Sequence, residues 1–139
     1  MTYISPEEQF SYDNRRRTTR DRYQRGLAQT DWQQGQYESQ QGLDVNNLTR
    51  QWDQMRRRLP GQYHKRGMAN SGLLGQGLQD YGVGRQGAFS DLTARYQQMI
   101  GQLGQQRQNL GVDYASGIAD VDDLERMRRA QIAAQLQGL

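Results

Sequence analysis

The sequence contains no cysteine and a single histidine, His64. Without cysteine the chain has no disulfide bond and no thiolate ligand for a metal, and its composition does not indicate a reducing or an oxidising compartment. The absence of cysteine also excludes nucleophilic catalysis by a thiol, and the single histidine excludes zinc binding by a histidine pair. A lone histidine beside Lys65 and Arg66 is typical of a charged surface. We therefore expect a protein that is not an enzyme, with no cofactor and no small-molecule substrate.

The sequence is also poor in apolar residues. Hydrophobic residues make up 34% of the chain and the mean hydropathy is -1.07, which is too polar for an ordinary compact core. No apolar run approaches the roughly 20 residues of a membrane span, and the first residues, followed by Glu7 and Glu8, do not resemble a secretory signal. Two Trp, eight Tyr and regularly spaced Leu and Met argue against a disordered chain. These features indicate a long, thin helical protein without membrane contact, whose narrow apolar stripe is buried against other copies or a larger partner.

Proline occurs only twice, and both positions predict helix boundaries. Ser5 can cap a helix that has Pro6 at its first position and two acids at the positive end of its dipole. Pro60 has no N–H donor and its ring clashes with the preceding turn, so the first helix is predicted to end near Leu59. A second helix is predicted to begin near Leu73, capped by Asn70 or Ser71. The residues predicted to form the turn are Pro60, Gly61, Gly67, Ser71 and Gly72, with Gly67 and Gly72 able to adopt positive φ.

Apolar residues recur at steps of three and four along both predicted helices. In the first helix the stripe runs from Tyr23 to Leu59, with two successive steps of four around Gln41. In the second it is clear from Phe89 onward, with another such stutter after Leu110. A stripe this narrow is typical of a coiled-coil seam rather than of a globular helix face. The predicted seam residues are Leu48, Trp52, Met55, Leu59, Phe89, Leu92, Tyr96, Met99, Leu103 and Leu110.

The sequence thus divides into four segments. Residues 1–22 form a polar N-terminal arm, 23–59 the first helical arm, 60–72 the turn and 73–139 the second helical arm. The predicted fold class is all-α: an elongated, non-globular helical hairpin, or long helices with coiled-coil-like seams. Two arms with matching seams can pair antiparallel, and the same seams can also bury against other copies in a homo-oligomer.

Two stretches resemble ligand sites. Residues 82–87 match the glycine pattern of dinucleotide binding, but the residues before them do not form the buried strand that such a site requires. The acids between residues 120 and 125 could supply oxygen ligands to a hard cation, yet they lack the spacing of a calcium loop. Acids followed by bases suit a solvated helix. The pairs expected there are Asp122 with Arg126 and Glu125 with Arg129.

Arginine is concentrated in two runs, residues 15–25 and 56–66. Arginines interleaved with tyrosines can bind phosphates and stack on bases. Acids scattered among them dilute the field, and the formal net charge is only +3, so protein contacts or a solvated face are the competing interpretation. Nucleic-acid contact is therefore an alternative, carried by Arg15, Arg16, Arg17 and Arg20.

Leu59-Pro60, the stretch from Arg66 to Gly72 and the seam beyond resemble the small helical minor virion proteins of tailed bacteriophages, particularly those of the tail or connector region. In such proteins a polar Arg- and Gln-rich arm, an Arg-Gly-x-x-x-Ser-Gly turn and a second long helix recur. The resemblance extends over most of the chain as a pattern, with the turn as its short motif. It implies a multicopy structural protein located in the virion, which associates with itself and with other virion proteins and has no enzymatic activity.

Three functional hypotheses follow. The first is a structural virion protein of the tail tip, connector or capsid interior, in which burial of the helical seams holds copies together. The second is a genome-associated internal virion protein whose arginine-rich arm binds nucleic acid. The third is a scaffolding or regulatory coiled coil of a cell. The first is the function that the sequence favours.

Overall fold

The chain folds into two long helices. The computed structural model describes residues 3–65, 67 and 72–138. Over this range the elements are α1 (Pro6–Lys65) and α2 (Leu73–Gln137), and no strand is present. The two helices pack as a hairpin. The predicted all-α helical hairpin is confirmed.

The start of α1 follows the sequence signals. The Glu8 amide donates a hydrogen bond to the Ser5 hydroxyl at 3.2 Å, and the Gln9 amide donates to the Ser5 carbonyl at 2.9 Å. Pro6 is the first helical residue, where its missing N–H costs nothing. The helix therefore begins at residue 6, and the segment predicted as a separate polar arm, residues 1–22, is helical from that point on.

The end of α1 differs from the prediction. The helix continues through Pro60 and Gly61 and ends at Lys65. Pro60 removes one backbone donor but its fixed φ is helical, and the turn that follows contributes Tyr63, whose ring packs over Gly77 of α2. Partial burial of this aromatic ring offsets the lost hydrogen bond, and the helix continues for six residues past Leu59. The prediction that it ends near Leu59 was wrong.

The predicted left-handed positions of the turn are confirmed. Gly67 has a φ of 71° and Gly72 a φ of 78°, and the structure shows no positive φ at any other described residue. The Gly67 amide donates to the carbonyl of His64 at 3.0 Å, which closes the end of α1. The predicted start of α2 at Leu73 is also confirmed. Ser71 and Asn70, predicted as caps, lie outside the described residues.

Buried and half-buried positions recur every eleven residues in both helices. Eleven residues in three turns correspond to about 3.67 residues per turn, close to the 3.6 of an α-helix, so a row at this spacing stays on one helix face. The stutters visible in the sequence are steps of this regular repeat. In α1 one such row is Glu8, Thr19, Thr30, Gln41, Trp52 and Tyr63. In α2 three such rows are Gly77, Ala88, Met99, Leu110, Val121 and Ile132; Tyr81, Leu92, Leu103, Tyr114 and Glu125; and Arg85, Tyr96, Arg107, Ile118 and Arg129.

The chain divides into two compact units, each built from a segment of both helices. The terminal unit comprises Met1–Trp32 and Leu103–Leu139, and the turn unit comprises Gln33–Gln102. Few side chains are fully buried. Thr30, Leu103 and Val121 are buried in the terminal unit, and Tyr96 is buried in the turn unit. Neither helix, over its described residues, contains a stretch apolar and long enough to span a membrane.

Candidate functional site

The seam of the turn unit is built from aromatic side chains of one helix set against glycine or a polar group of the other. The Tyr81 ring meets the Trp52 ring edge-on, with centroids 5.3 Å apart, and the Tyr81 hydroxyl donates to the Trp52 carbonyl at 2.7 Å. The Trp52 ring also covers Gly84, where an added Cβ would lie 3.1 Å from Cη2. An added Cβ at Gly77 would lie 2.5 Å from the Tyr63 hydroxyl. These two glycines leave room for large rings, which a side chain at either position would displace.

Tyr96 is the most buried aromatic residue of the turn unit. Its exposed fraction is 4%, and its hydroxyl donates a hydrogen bond to the Asp44 carboxylate of α1. This hydrogen bond favours the protonated phenol, and burial does so too, so the pKa of Tyr96 lies above its ordinary value. The pair links the two helices through a polar contact that is satisfied on both sides.

The terminal unit has a similarly close seam. The rings of Tyr23 and Tyr114 stack with centroids 4.7 Å apart. An added Cβ at Gly26 would lie 2.8 Å from the Leu110 Cδ2, and one at Gly117 would lie 2.9 Å from the Thr19 Cγ2. Aromatic stacking and close helix approach at glycine therefore fix the register of the two segments.

Ion pairs are the second component of the terminal unit. The Arg16 guanidinium donates to Asp122 at 2.8 Å and also to Glu125, which in turn accepts from Arg129 at 3.0 Å. The hydrogen bonds from Arg16 and Arg129 hold the pKa of Glu125 below its ordinary value, and those to Glu125 and Asp122 raise the pKa of Arg16. This hydrogen-bonded cluster joins α1 to α2 and helps to hold the terminal unit together.

Two further arginines of α2 connect the same segments. Arg128 pairs with Glu8 at 3.0 Å, and this hydrogen bond raises the pKa of Arg128. Arg107 pairs with Asp31 at 2.7 Å, and its Nε donates to the buried Thr30 hydroxyl at 3.3 Å. The arginines at seam positions of α2 thus bind across to α1 and replace apolar contacts there.

Most of the predicted seam residues are buried or half-buried within a single chain, and Phe89 among them also lines an open groove on α2 with Leu78 and Ala94. Tyr96 and Leu103 are buried, and Met55 is the exception, with 48% of its surface exposed. The hairpin itself therefore uses this surface, and self-association through it stays a prediction. The predicted seam residues that are half-buried are Leu48, Trp52, Leu59, Phe89, Leu92, Met99 and Leu110.

The four arginines predicted to contact nucleic acid differ in exposure and pairing. Arg15, Arg17 and Arg20 are exposed on α1. Arg16 is half-buried and is held by Asp13, Asp122 and Glu125 in one cluster. The sequence shows no difference between Arg16 and its neighbours. What separates them is the fold, which brings Asp122 and Glu125 of α2 within reach of Arg16.

The stretches that resembled ligand sites are parts of α2. Residues 82–87 lie inside the helix, where backbone amides are used in the helix and cannot cradle a phosphate. Of the acids near residue 122, Asp122 and Glu125 bind Arg16, while Asp123 pairs with Arg126 at 3.3 Å. The predicted Glu125–Arg129 pair is confirmed, and Arg126 pairs with Asp123 instead of Asp122. The described residues contain no cluster of three or more acidic or histidine side chains able to hold a metal.

An open groove of about 870 Å³ lies along the turn unit. Its floor is a face of α2 from Leu78 to Gln97, and Asp53 and Arg56 of α1 form its edge. Leu78, Phe89 and Ala94 supply apolar surface, and the Arg85 guanidinium lies 4.9 Å from the centre of the Phe89 ring. The face extends over about 28 Å at 1.5 Å per residue. It has the dimensions and the mixed lining of a groove that accepts another helix.

Comparison of the chain with protein-family models, with curated proteins and with solved structures finds no match.

Proposed function

We propose that this chain is a non-enzymatic structural protein of a phage virion, present in several copies at the tail tip, connector or capsid interior. The observation that supports a role in assembly is the imbalance between buried and exposed apolar side chains. Among the described residues, the buried hydrophobic ones are Tyr96, Leu103 and Val121. The large hydrophobic side chains that stay exposed are Tyr3, Phe10, Trp32, Leu43, Met55, Leu73, Leu78, Val83, Val112, Leu124, Met127 and Leu136.

Single exposed apolar residues are normal on soluble proteins, and many seam residues here are half-buried, but the exposed set leaves apolar surface that a neighbouring copy can cover. A hairpin that buries so little gains only part of the stabilisation available to it. Each further large apolar side chain buried against a neighbour contributes about 1.5–3 kcal/mol. Placement in the virion comes from the resemblance of the turn, whose Gly67 and Gly72 adopt the left-handed conformation.

The groove of the turn unit is the surface that we assign to self-association. Gly82 and Ala94 on its floor permit close approach of a second helix. Asp53 and Arg56 at its edge, with Arg85, offer charges of both signs, so the same surface on a second copy can complement it. We therefore expect copies to associate through this groove, in addition to the seam within each hairpin.

The test is the solution mass of the purified chain and of two variants, measured by light scattering at several protein concentrations. Leu78→Glu places a charge on the groove floor, and Val83→Glu places the same charge on an exposed site of α2 outside the groove. We expect a discrete oligomer for the natural chain and for Val83→Glu, and a smaller species for Leu78→Glu. A monomeric natural chain, or equal behaviour of the two variants, would contradict assembly through the groove.

Variants of the seam do not test assembly, because they act on the hairpin itself. Trp52→Ala and Leu103→Ala remove side chains that join α1 and α2 or fill the interior, and each is expected to cost about 2–5 kcal/mol of folding free energy. Virion incorporation is checked separately, by mass spectrometry of purified particles after expression of the tagged chain during infection. Absence of the chain from particles would contradict the virion role and leave the oligomer result standing.

A further inference from the structure

The net charge of the chain is confined to one unit. The terminal unit carries ten Arg and Lys residues and ten Asp and Glu residues, so its formal charge is zero. The turn unit carries eight basic and five acidic residues, which accounts for the whole formal charge of +3. The excess of positive over negative charge therefore lies within residues 33–102.

Ion pairing follows the same division. Every ion pair that the structure shows among the described residues lies in the terminal unit, from Glu8–Arg128 to Arg107–Asp31. In the turn unit, the described basic residues make no ion pair. Several positive charges of the terminal unit join its two helices, whereas the described basic residues of the turn unit are not paired with a carboxylate of the chain.

Four of these charges share one face of α1, which we call the basic face: Arg50, Arg57, Arg58 and Lys65. All four are exposed. At 100° per residue they fall within an arc of about 100°, on the side of the helix opposite the seam residues Trp52, Leu59 and Tyr63. Gln54 lies within this face and His64 borders it, and the acid Asp53 lies at its edge toward the groove.

The spacing and chemistry of the basic face suit a row of phosphates. Arg50 and Arg57, and likewise Arg58 and Lys65, are seven residues apart, about 10 Å along the helix. Guanidinium groups bind phosphate oxygens through paired hydrogen bonds, and a Gln54 amide between them adds a donor. An acidic protein partner would need an apolar centre to its interface, and the middle of this face is Gln54 and Gly61.

We infer that the basic face of the turn unit binds the phosphate backbone of nucleic acid without sequence preference. The arginines at the start of α1, which the sequence suggested for this role, belong to a unit whose charges are balanced. Binding at the basic face is independent of the groove, because Leu78 and the other groove residues of α2 do not contribute to it.

The test is binding of a random-sequence double-stranded DNA of about 30 base pairs, followed by fluorescence anisotropy between 50 and 200 mM salt. One variant replaces Arg50, Arg57, Arg58 and Lys65 with Gln. The matched control replaces four exposed arginines of the terminal unit, Arg15, Arg17, Arg20 and Arg22, with Gln. Both variants remove four charges from α1 and keep residues of good helix propensity, and circular dichroism checks that each is as helical as the natural chain.

Each phosphate contact contributes about −0.9 to the slope of log K against log salt. Four contacts therefore predict a roughly hundredfold loss of affinity for the natural chain over this salt range. The basic-face variant is expected to lose most of this binding and its salt dependence, and the control variant to retain both. Equal binding by the basic-face variant, or loss of binding in the control alone, would overturn the inference. Binding of poly-glutamate but not DNA to the basic face would overturn it in favour of an acidic protein partner.

Discussion

Tyr96 and Glu125 make hydrogen bonds that depend on their protonation state, and they act at opposite ends of the pH scale. Tyr96 donates to Asp44 in the turn unit, and Glu125 accepts from Arg16 and Arg129 in the terminal unit. The first bond needs the protonated phenol and the second needs the ionised carboxylate. Each residue therefore couples folding to pH with a predictable sign.

Tyr96→Phe is expected to reduce the decline in folding stability that the natural chain shows at alkaline pH. The pKa of Tyr96 is raised in the folded chain, so its contribution is complete below the ordinary tyrosine pKa of 10.0 and is lost as the pH rises through the folded value. Denaturant unfolding from pH 9 to 11 should show a smaller decline in Tyr96→Phe than in the natural chain. Tyr114→Phe, which keeps the ring stacked on Tyr23, is the control and should retain the natural slope. A Tyr96→Phe profile parallel to the natural one would refute the assignment.

Glu125→Gln is expected to reduce the decline in folding stability that the natural chain shows at acidic pH. The pKa of Glu125 is lowered by Arg16 and Arg129, so its contribution is present above the ordinary glutamate pKa of 4.5 and is lost as the pH falls through the folded value. At pH 7 the variant should unfold with a free energy lower by about 1–2 kcal/mol, since it weakens charged hydrogen bonds. As the pH falls through the folded pKa of Glu125, the two chains should converge.

Asp123→Asn is the matched control for this acid effect. Its carboxylate is exposed and pairs with Arg126 one turn away, an arrangement that contributes about 0–1 kcal/mol. Denaturant titrations at pH 3 to 7 compare the two variants. A constant difference between Glu125→Gln and the natural chain at every pH would show that Glu125 does not titrate as the geometry requires.

At the scale of the helix, the glycines fall into two groups that the sequence does not separate. Some face a side chain of the other helix, as Gly117 faces Thr19, and others, such as Gly104, have nothing within 4 Å of an added Cβ. A glycine of the second kind only weakens its helix, by about 1 kcal/mol relative to alanine. One of the first kind is required by the packing.

Gly117→Ala and Gly104→Ala should therefore change stability in opposite directions. The new Cβ at position 117 would lie 2.9 Å from the Thr19 methyl group, and Thr19 is held by its branched side chain and by a 2.9 Å hydrogen bond to the Arg15 carbonyl. Overpacking costs about 1–3 kcal/mol, which exceeds the gain in helix propensity. Gly104→Ala should stabilise the chain by up to about 1 kcal/mol.

The measurement is the free energy of unfolding in urea for both variants and for Gly117→Ala combined with Thr19→Ser. Serine removes the obstructing methyl group and keeps the hydroxyl, so the double variant should recover most of the loss. If Gly117→Ala is as stable as Gly104→Ala, the two helix segments do not approach as closely as the structure shows.

Element boundaries were predictable where a local rule decides them. Ser5 and Pro6 define the start of α1 by capping, and Gly67 and Gly72 adopt the left-handed backbone that glycine allows. The continuation of α1 past Pro60 to Lys65 was not predictable by such a rule, because it depends on the packing of Tyr63 against Gly77 of α2. Contact between distant residues overrides local preference in this case.

At the scale of the whole molecule, the pattern of apolar residues predicted two paired helices but not the use of the arginines. Arg16 and Arg17 are adjacent residues of the same type, yet Arg16 binds Asp122 and Arg17 is exposed. The distribution of charge between the units was present in the sequence, but its meaning depends on which carboxylates the fold brings within reach. The groove therefore emerges only from the folded chain, whereas the basic face includes residues of the arginine run 56–66 that the sequence already shows.

The eleven-residue rows also set the increments in which such a chain can change length during evolution. Adding eleven residues to each helix at facing positions within one unit would lengthen both by about 16 Å and restore every row to its face. Adding ten or twelve would rotate the remainder of the helix by about 100° and turn seam residues such as Leu103 toward solvent. Relatives of this protein are therefore expected to differ in helix length by multiples of eleven residues.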